Sequence, residues 1–255
     1  MLSFIPELQH ALNAFAQMLE EFFGKRLISI VLFGSIIFDD LAPGYGDLDF
    51  LAVVDDDLSE EDCNNLVALR KPLRNGDYGT FGRMIEGAFL PRKMLNPAIH
   101  GQAFWWGTSG ERPWEENQLG WFVLQMIKER GLIFYGEDIS RDIPDIDRML
   151  LVNDIRIGCE TIKQHGKGGG LHSVDWLLLA ARSLLWLKEN SLSSKSDAAD
   201  WGFRNAQGSW RKLLPQAKQI RLNPALADSP EIQQWMNELT PAIQEACEEI
   251  ERALG

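Results

Sequence analysis

The chain is expected to fold as α+β: an α/β domain over residues 1–145, then an all-α domain over 146–255. Three observations carry that expectation. Short β-branched apolar runs alternate with helical periodicity up to about residue 145, and beyond it only the 3.6-residue period persists. A length of 255 residues suits two domains of ordinary size. Hydrophobic residues at 45% and charged residues at 24% are average for a globular protein and exclude disordered or collagenous chains.

Leu8, Leu12, Phe15, Leu19 and Phe22 recur at spacings of three and four, so Ile5–Phe23 reads as an amphipathic helix. Pro6 suits its first turn and Gly24 its stop. Leu27–Leu32 is a buried strand, and Asp47–Val54 a second one ending in the acidic turn Asp55-Asp56-Asp57. Ser59 caps a helix to about Arg70, with Glu60 and Glu61 in its first turn. Arg83–Leu90 reads as a third strand, stopped by Pro91. Residues 92–117, with Pro, Gly and three Trp, read as a long irregular crossing. A helix over Asn117–Arg130 and a short strand Leu132–Tyr135 follow. After the turns of Gly136–Pro144, helices are predicted at Met149–Gln164, Val174–Asn190, Asp197–Arg204, Trp210–Ile220 and Glu231–Ala253.

Composition narrows the function. No stretch approaches the roughly 20 apolar residues of a membrane span; the longest candidate, Trp176–Leu187, is broken by Arg182. Met1–Phe15 lacks a basic segment and carries Glu7, unlike a secretory leader. Cys63, Cys159 and Cys247 fit no CxxC pair or zinc knuckle, and reduced thiols in the cytoplasm are the expectation. The net charge is −12, with 13 basic and 24 acidic residues up to position 150 and 12 and 13 beyond it. That field repels a nucleic-acid backbone and suits a cationic or metal-bound ligand; it serves equally as a solubility feature. Neither a nucleic-acid nor a membrane partner is expected, and the chain is expected to be a monomer. His165-Gly-Lys-Gly-Gly-Gly170 follows a helix and lacks the GxxxxGK[ST] pattern, so it reads as a flexible interhelical loop. The four histidines show no zinc spacing.

The segment from Val31 to Phe50 carries the chemistry. A buried strand ends in Gly34-Ser35, and 11 intervening residues later Asp47-Leu48-Asp49-Phe50 begins another. Alternation sets Leu48 and Phe50 on one face and Asp47 and Asp49 on the other. Two neighbouring carboxylates repel each other, and a divalent metal removes that cost; oxygen-only ligands suit Mg²⁺. Gly34 admits a phosphate close to the backbone, and the Ser35 hydroxyl can bond its oxygens. Either motif alone is as readily an ordinary turn or an exposed strand edge. Their combination points to a metal-bound polyphosphate.

This segment resembles the DNA polymerase β-like nucleotidyltransferases, whose pattern is hydrophobic-Gly-Ser, about ten residues, then Asp-hydrophobic-Asp. The resemblance extends to the aminoglycoside 3″/9-adenylyltransferases, which act on streptomycin and spectinomycin. Ser194-Lys195-Ser-Asp-Ala-Ala-Asp-Trp201 is similar to their Lys-Asp-x-Ala-Ala-Asp-Trp stretch. Arg182 lies at the matching distance before it, and Glu86 falls at their third carboxylate. The resemblance implies a nucleotidyltransferase domain with a mixed sheet flanked by helices, then a helical bundle. It implies that Asp47 and Asp49 hold Mg²⁺ on ATP, that Gly34 and Ser35 cradle the phosphates, and that Glu86 is the general base for attack of an acceptor hydroxyl. Arg182 and Lys195 would neutralise the departing pyrophosphate. Arg182 has a rival reading as a pair inside the bundle, Lys195 as a solvated loop residue, and Glu86 as an ordinary strand carboxylate. Gly46 departs from the family, which carries a hydroxyl residue there. His172 falls near an expected acidic position, and Trp105 and Trp106 are candidates for a stacking face toward the acceptor. The expected activity is AMP transfer from ATP to an aminoglycoside or aminocyclitol. The rivals are another acceptor, such as a protein hydroxyl or a metabolite, and a nucleotide-binding or antitoxin-like module without turnover.

Overall fold

Leu8, Leu12, Phe15 and Leu19 form the buried stripe of the first helix, α1 (Pro6–Phe23), and one face of a sheet packs on it. Pro6 starts this helix, and Gly24 stops it with φ 54°, a conformation glycine adopts at little cost. The computed structural model describes residues 4–108 and 110–255; Met1–Ser3, where the segment read for a leader begins, and Ser109 of the 92–117 crossing lie outside the described residues. The chain divides into two compact units, one ending at Asp145 and the other spanning Ile146–Gly255.

Among the described residues, the first unit holds six strands: β1 (Leu27–Phe33), β2 (Leu48–Val54), β3 (Ile85–Pro91), β4 (Ala103–Gly107), β5 (Gly110–Trp114) and β6 (Leu132–Gly136). Their spatial order is β5-β4-β3-β2-β1-β6. Only β2 and β3 pair in parallel; the other neighbours are antiparallel, so the sheet is mixed, as expected. A parallel pair needs a crossover. Here α2 (Glu60–Asn75) and the single turn α3 (Gly79–Arg83) provide it, and α4 (Trp121–Arg130) precedes β6. Ile30, Leu32, Phe50, Phe89 and Trp106 face α1. Their rings meet edge to face, Phe15–Phe50 at 4.7 Å and Phe89–Trp106 at 4.7 Å.

Several elements differ from expectation. The 92–117 crossing contains the β4–β5 hairpin. Its Pro113 is tolerated because β5 is an edge strand with no further ladder to serve. The helix capped by Ser59 runs past Arg70 and through Pro72 to Asn75, since Leu66, Arg70 and Leu73 all bury their side chains, and Gly76 at φ 88° ends it. The helix expected from Asn117 starts at Trp121, because Asn117 folds back to accept from the Leu119 N–H at 2.9 Å.

The second unit consists of α5 (Arg148–His165), α6 (Leu171–Glu189), α7 (Lys195–Asn205), α8 (Leu214–Leu222), α9 (Pro230–Asn237) and α10 (Thr240–Leu254). No strand occurs among its described residues. Helix α6 is its axis, packed against α7, α8 and α10, and it buries Val174, Leu177, Leu178, Ala181, Leu184 and Leu185. The expected helix Glu231–Ala253 is broken into α9 and α10 at Pro241, which cannot donate to a preceding turn and disfavours helical geometry before it. The glycine loop after α5 is tied down. Gly168 N–H donates to Thr240 Oγ1 at 2.7 Å and Gly169 N–H to the Met236 carbonyl at 2.9 Å, so these amides are already used. Cys159 and Cys247 are free, buried thiols on α5 and α10, each directed at the other's carbonyl.

Candidate active site

Strands β1, β2 and β3 share one burial pattern: every residue is buried except the second. In β2 that opening is Asp49, and in β3 it is Glu86. Parallel register pairs these two residues directly, so both carboxylates leave the same face of the sheet at the same level. Asp47 precedes β2 by one residue and points the same way by alternation. It is close enough that its charge acts on Glu86. Leu48 and Phe50, between and beyond them, are fully buried on the opposite face.

The Gly34-Ser35 bend lies beside this group because β1 is antiparallel to β2 and sets Phe33 opposite Asp49. Gly34 has φ 72°, and a Cβ there would run into the Asp49 carboxylate. Glycine is thus required twice, by conformation and by contact. The Ser35 hydroxyl is buried without a hydrogen-bond partner. A buried polar group left unpaired costs free energy, on the order of 1–3 kcal/mol. It therefore marks a place where a ligand oxygen is expected.

Glu86 is half-buried. Burial first, and the Asp47 charge second, push its carboxyl above the usual range, while the Thr108 N–H, bonded to Oε2 at 2.6 Å, and the Arg70 charge oppose this. A carboxylate held in partial desolvation beside another acid is suited to accept a proton. Thr108 and Arg70 were not singled out from the sequence. Arg70 had one legible signal, a cation on the apolar side of a helix between Leu66 and Leu73, which needs a buried partner.

Among the described residues, no three His, Cys, Asp or Glu side chains are grouped so as to hold a metal by themselves. Mg²⁺ does not require such a cage; it takes one or two carboxylates and completes its shell with water and phosphate oxygens. Asp47, Asp49, the glycine bend that sets Gly34 against the Asp49 carboxylate and the unpaired Ser35 hydroxyl fit a metal that arrives on a polyphosphate.

The other predicted residues divide. Trp106 is fully buried in the core against α1, so it offers no stacking face; its neighbour Trp105 emerges on the Glu86 face, stacked on Trp114 at 5.1 Å. Alternation decides this, since consecutive residues of β4 point to opposite sides. In the helical unit, Lys195 is the first residue of α7, capped by Ser194, and is not a loop residue. Its Nζ pairs with Asp175 Oδ1 on α6 at 2.6 Å. Arg182 is partly buried on α6, two turns beyond Asp175 and on the same side of that helix. His172 is exposed in the first turn of α6.

Residues 143–247 match the family model of the aminoglycoside adenylyltransferase C-terminal domain. No curated protein sequence matches the chain. Among solved structures, the spectinomycin adenyltransferase AAD(9) from Enterococcus faecialis, in its crystal structure with ATP and spectinomycin, is similar in fold. The TM-score is 0.77 at 18% identity, over 95% of this chain and 99% of that one.

Proposed function

We propose that this chain, a nucleotidyltransferase of polymerase β-like fold carrying the C-terminal domain of the aminoglycoside adenylyltransferases, moves AMP from ATP to a hydroxyl of an aminocyclitol antibiotic. Spectinomycin and streptomycin are the first candidates. The observation that carries the reading is the in-register pair of Asp49 and Glu86 beside a bend that only a residue without a Cβ can form.

In this reading Asp47 and Asp49 hold Mg²⁺, which when bound supplies charge neutralisation on the phosphates of ATP. Gly34 lets the triphosphate approach the backbone, and the Ser35 hydroxyl donates to one of its oxygens. Glu86 accepts the proton of the acceptor hydroxyl as that oxygen attacks the α-phosphorus and pyrophosphate leaves. Burial makes the carboxylate a better base than one in water, and the Thr108 N–H fixes its second oxygen so that the first faces the acceptor. Trp105 offers the acceptor an apolar wall on the Glu86 side. The acidic character of residues 1–150 favours a cationic acceptor.

The test is pyrophosphate release from ATP and Mg²⁺ with spectinomycin, streptomycin and a panel of neutral alcohols. Release dependent on an aminocyclitol supports the proposal. Release with another acceptor alone reassigns the substrate, and tight ATP binding without any release favours a binding module.

A further inference from the structure

Arg70 lies beneath the sheet, on the opposite side from Glu86, yet its guanidinium reaches the backbone that holds Glu86. It is nearly fully buried, on α2, with its charged head 5.7 Å from the Trp106 ring. Nη1 donates to the Gly107 carbonyl at 2.9 Å and to Glu111 Oε1 at 3.0 Å; Nη2 makes a long contact of 3.5 Å with the carbonyl of Ile85, the residue before Glu86. Arg74, one turn on, donates to the same Gly107 carbonyl at 2.9 Å. That carbonyl belongs to the peptide unit whose N–H, on Thr108, donates to Glu86 Oε2 at 2.6 Å. Two guanidinium groups thus grip one end of a single peptide plane, and the Glu86 carboxylate is held at the other.

We propose that Arg70, supported by Arg74, is a positioning residue for Glu86, acting through the Gly107–Thr108 peptide. The inference rests on the adenylyl-transfer reading above. Two physical effects follow from the geometry. Cations on the carbonyl polarise the peptide and strengthen its N–H as a donor, because linked hydrogen bonds reinforce one another. The grip also fixes the plane of the Gly107–Thr108 peptide at the end of β4, where glycine leaves the backbone with little rigidity of its own. Glu86 is thereby held in one orientation from a side of the sheet the substrate does not reach. Glu111 pairs with both arginines and offsets one of their two positive charges, leaving a net positive charge that favours the Glu86 carboxylate.

The test uses the full chain with Arg70→Met, Arg70→Lys and Arg74→Met, read in two ways. Steady-state pyrophosphate release with ATP, Mg²⁺ and spectinomycin is expected to show kcat down roughly 10- to 100-fold for Arg70→Met, as for a misplaced catalytic group. KM for ATP should stay within about twofold, and Arg70→Lys should recover part of the rate. A purely structural loss would lower the active fraction and would not be rescued by lysine. Independently of turnover, the Thr108 amide proton in the free protein's ¹H–¹⁵N spectrum should move upfield in Arg70→Met and in Glu86→Gln. Arg74→Met, whose side chain is half-exposed, is expected to fold and to move the same signal in the same direction, which keeps the test decisive if Arg70→Met does not fold. A Thr108 signal unchanged in the arginine variants overturns the proposal, as does wild-type kcat in Arg70→Met. An inert wild-type protein whose Thr108 signal still responds sinks the transferase reading and with it the catalytic role of Arg70, leaving only a structural tie.

Discussion

Asp49 and Glu86 stand side by side on the one parallel strand pair of the sheet, each at the only partly exposed position of its strand. A parallel pair carries its residues in matched register along its whole length. The 37-residue separation in sequence therefore collapses to adjacent backbones at the mouth of the site.

Glu86→Gln should abolish adenylyl transfer while ATP binding, measured by calorimetry, changes little. Glutamine keeps an acceptor for the Thr108 N–H but cannot take a proton. The variant is also expected to melt no lower than the parent, because the buried charge beside Asp47 is a cost to the fold. Retained turnover would remove Glu86 from the chemistry.

Gly34→Ala should weaken ATP·Mg²⁺ binding by at least about tenfold and destabilise the fold by about 1–2 kcal/mol, from left-handed strain alone. The added methyl group also displaces the Asp49 carboxylate. Nucleotide titration and thermal melts on the same sample read both effects. An alanine variant that binds normally would mean that the bend has no part in phosphate recognition.

Asp62 gives a pH-dependent prediction away from the site. Hydrogen bonds from Arg26 at 2.9 and 3.0 Å hold its carboxyl down at about 2 against an ordinary 3.8, as part of the capping box of α2. A depressed carboxyl contributes stability in full above its unfolded value and loses it as pH falls through the folded one. Asp62→Asn should therefore cost about 2 kcal/mol at pH 7. The difference from the parent should shrink between about pH 4 and pH 2, as urea melts at several pH values can show.

Trp105 and Trp106 should separate cleanly. Trp106→Ala removes a fully buried ring and is expected to cost about 3–5 kcal/mol in chemical denaturation. Trp105→Ala should leave the melt nearly unchanged and raise KM for the acceptor, with KM for ATP unaffected. Equal effects of the two substitutions on stability would contradict the alternation seen in β4.

Much of the site was legible because it is local. The Gly34-Ser35 bend and the Asp47-Leu48-Asp49-Phe50 alternation each lie within one short stretch, where strand period and glycine chemistry dictate which side chains share a face. The helical pattern beyond residue 145 was legible for the same reason. The failures were non-local. The β4–β5 hairpin was hidden because its Gly, Pro and Trp content signals irregularity unless one knows that β5 is an edge. The run over α9 and α10 looked continuous because apolar periodicity carries on across Pro241.

By itself, then, the sequence determined the order of elements, the faces of each strand and the chemistry of the residues at their ends. Tertiary structure alone decided that Glu86 lies in register with Asp49, that Trp106 turns inward while Trp105 turns out, and that Arg70 grips the peptide holding Glu86. The reason is physical: periodicity is set by bonds along the backbone, whereas register and burial are set by which distant segments pack together.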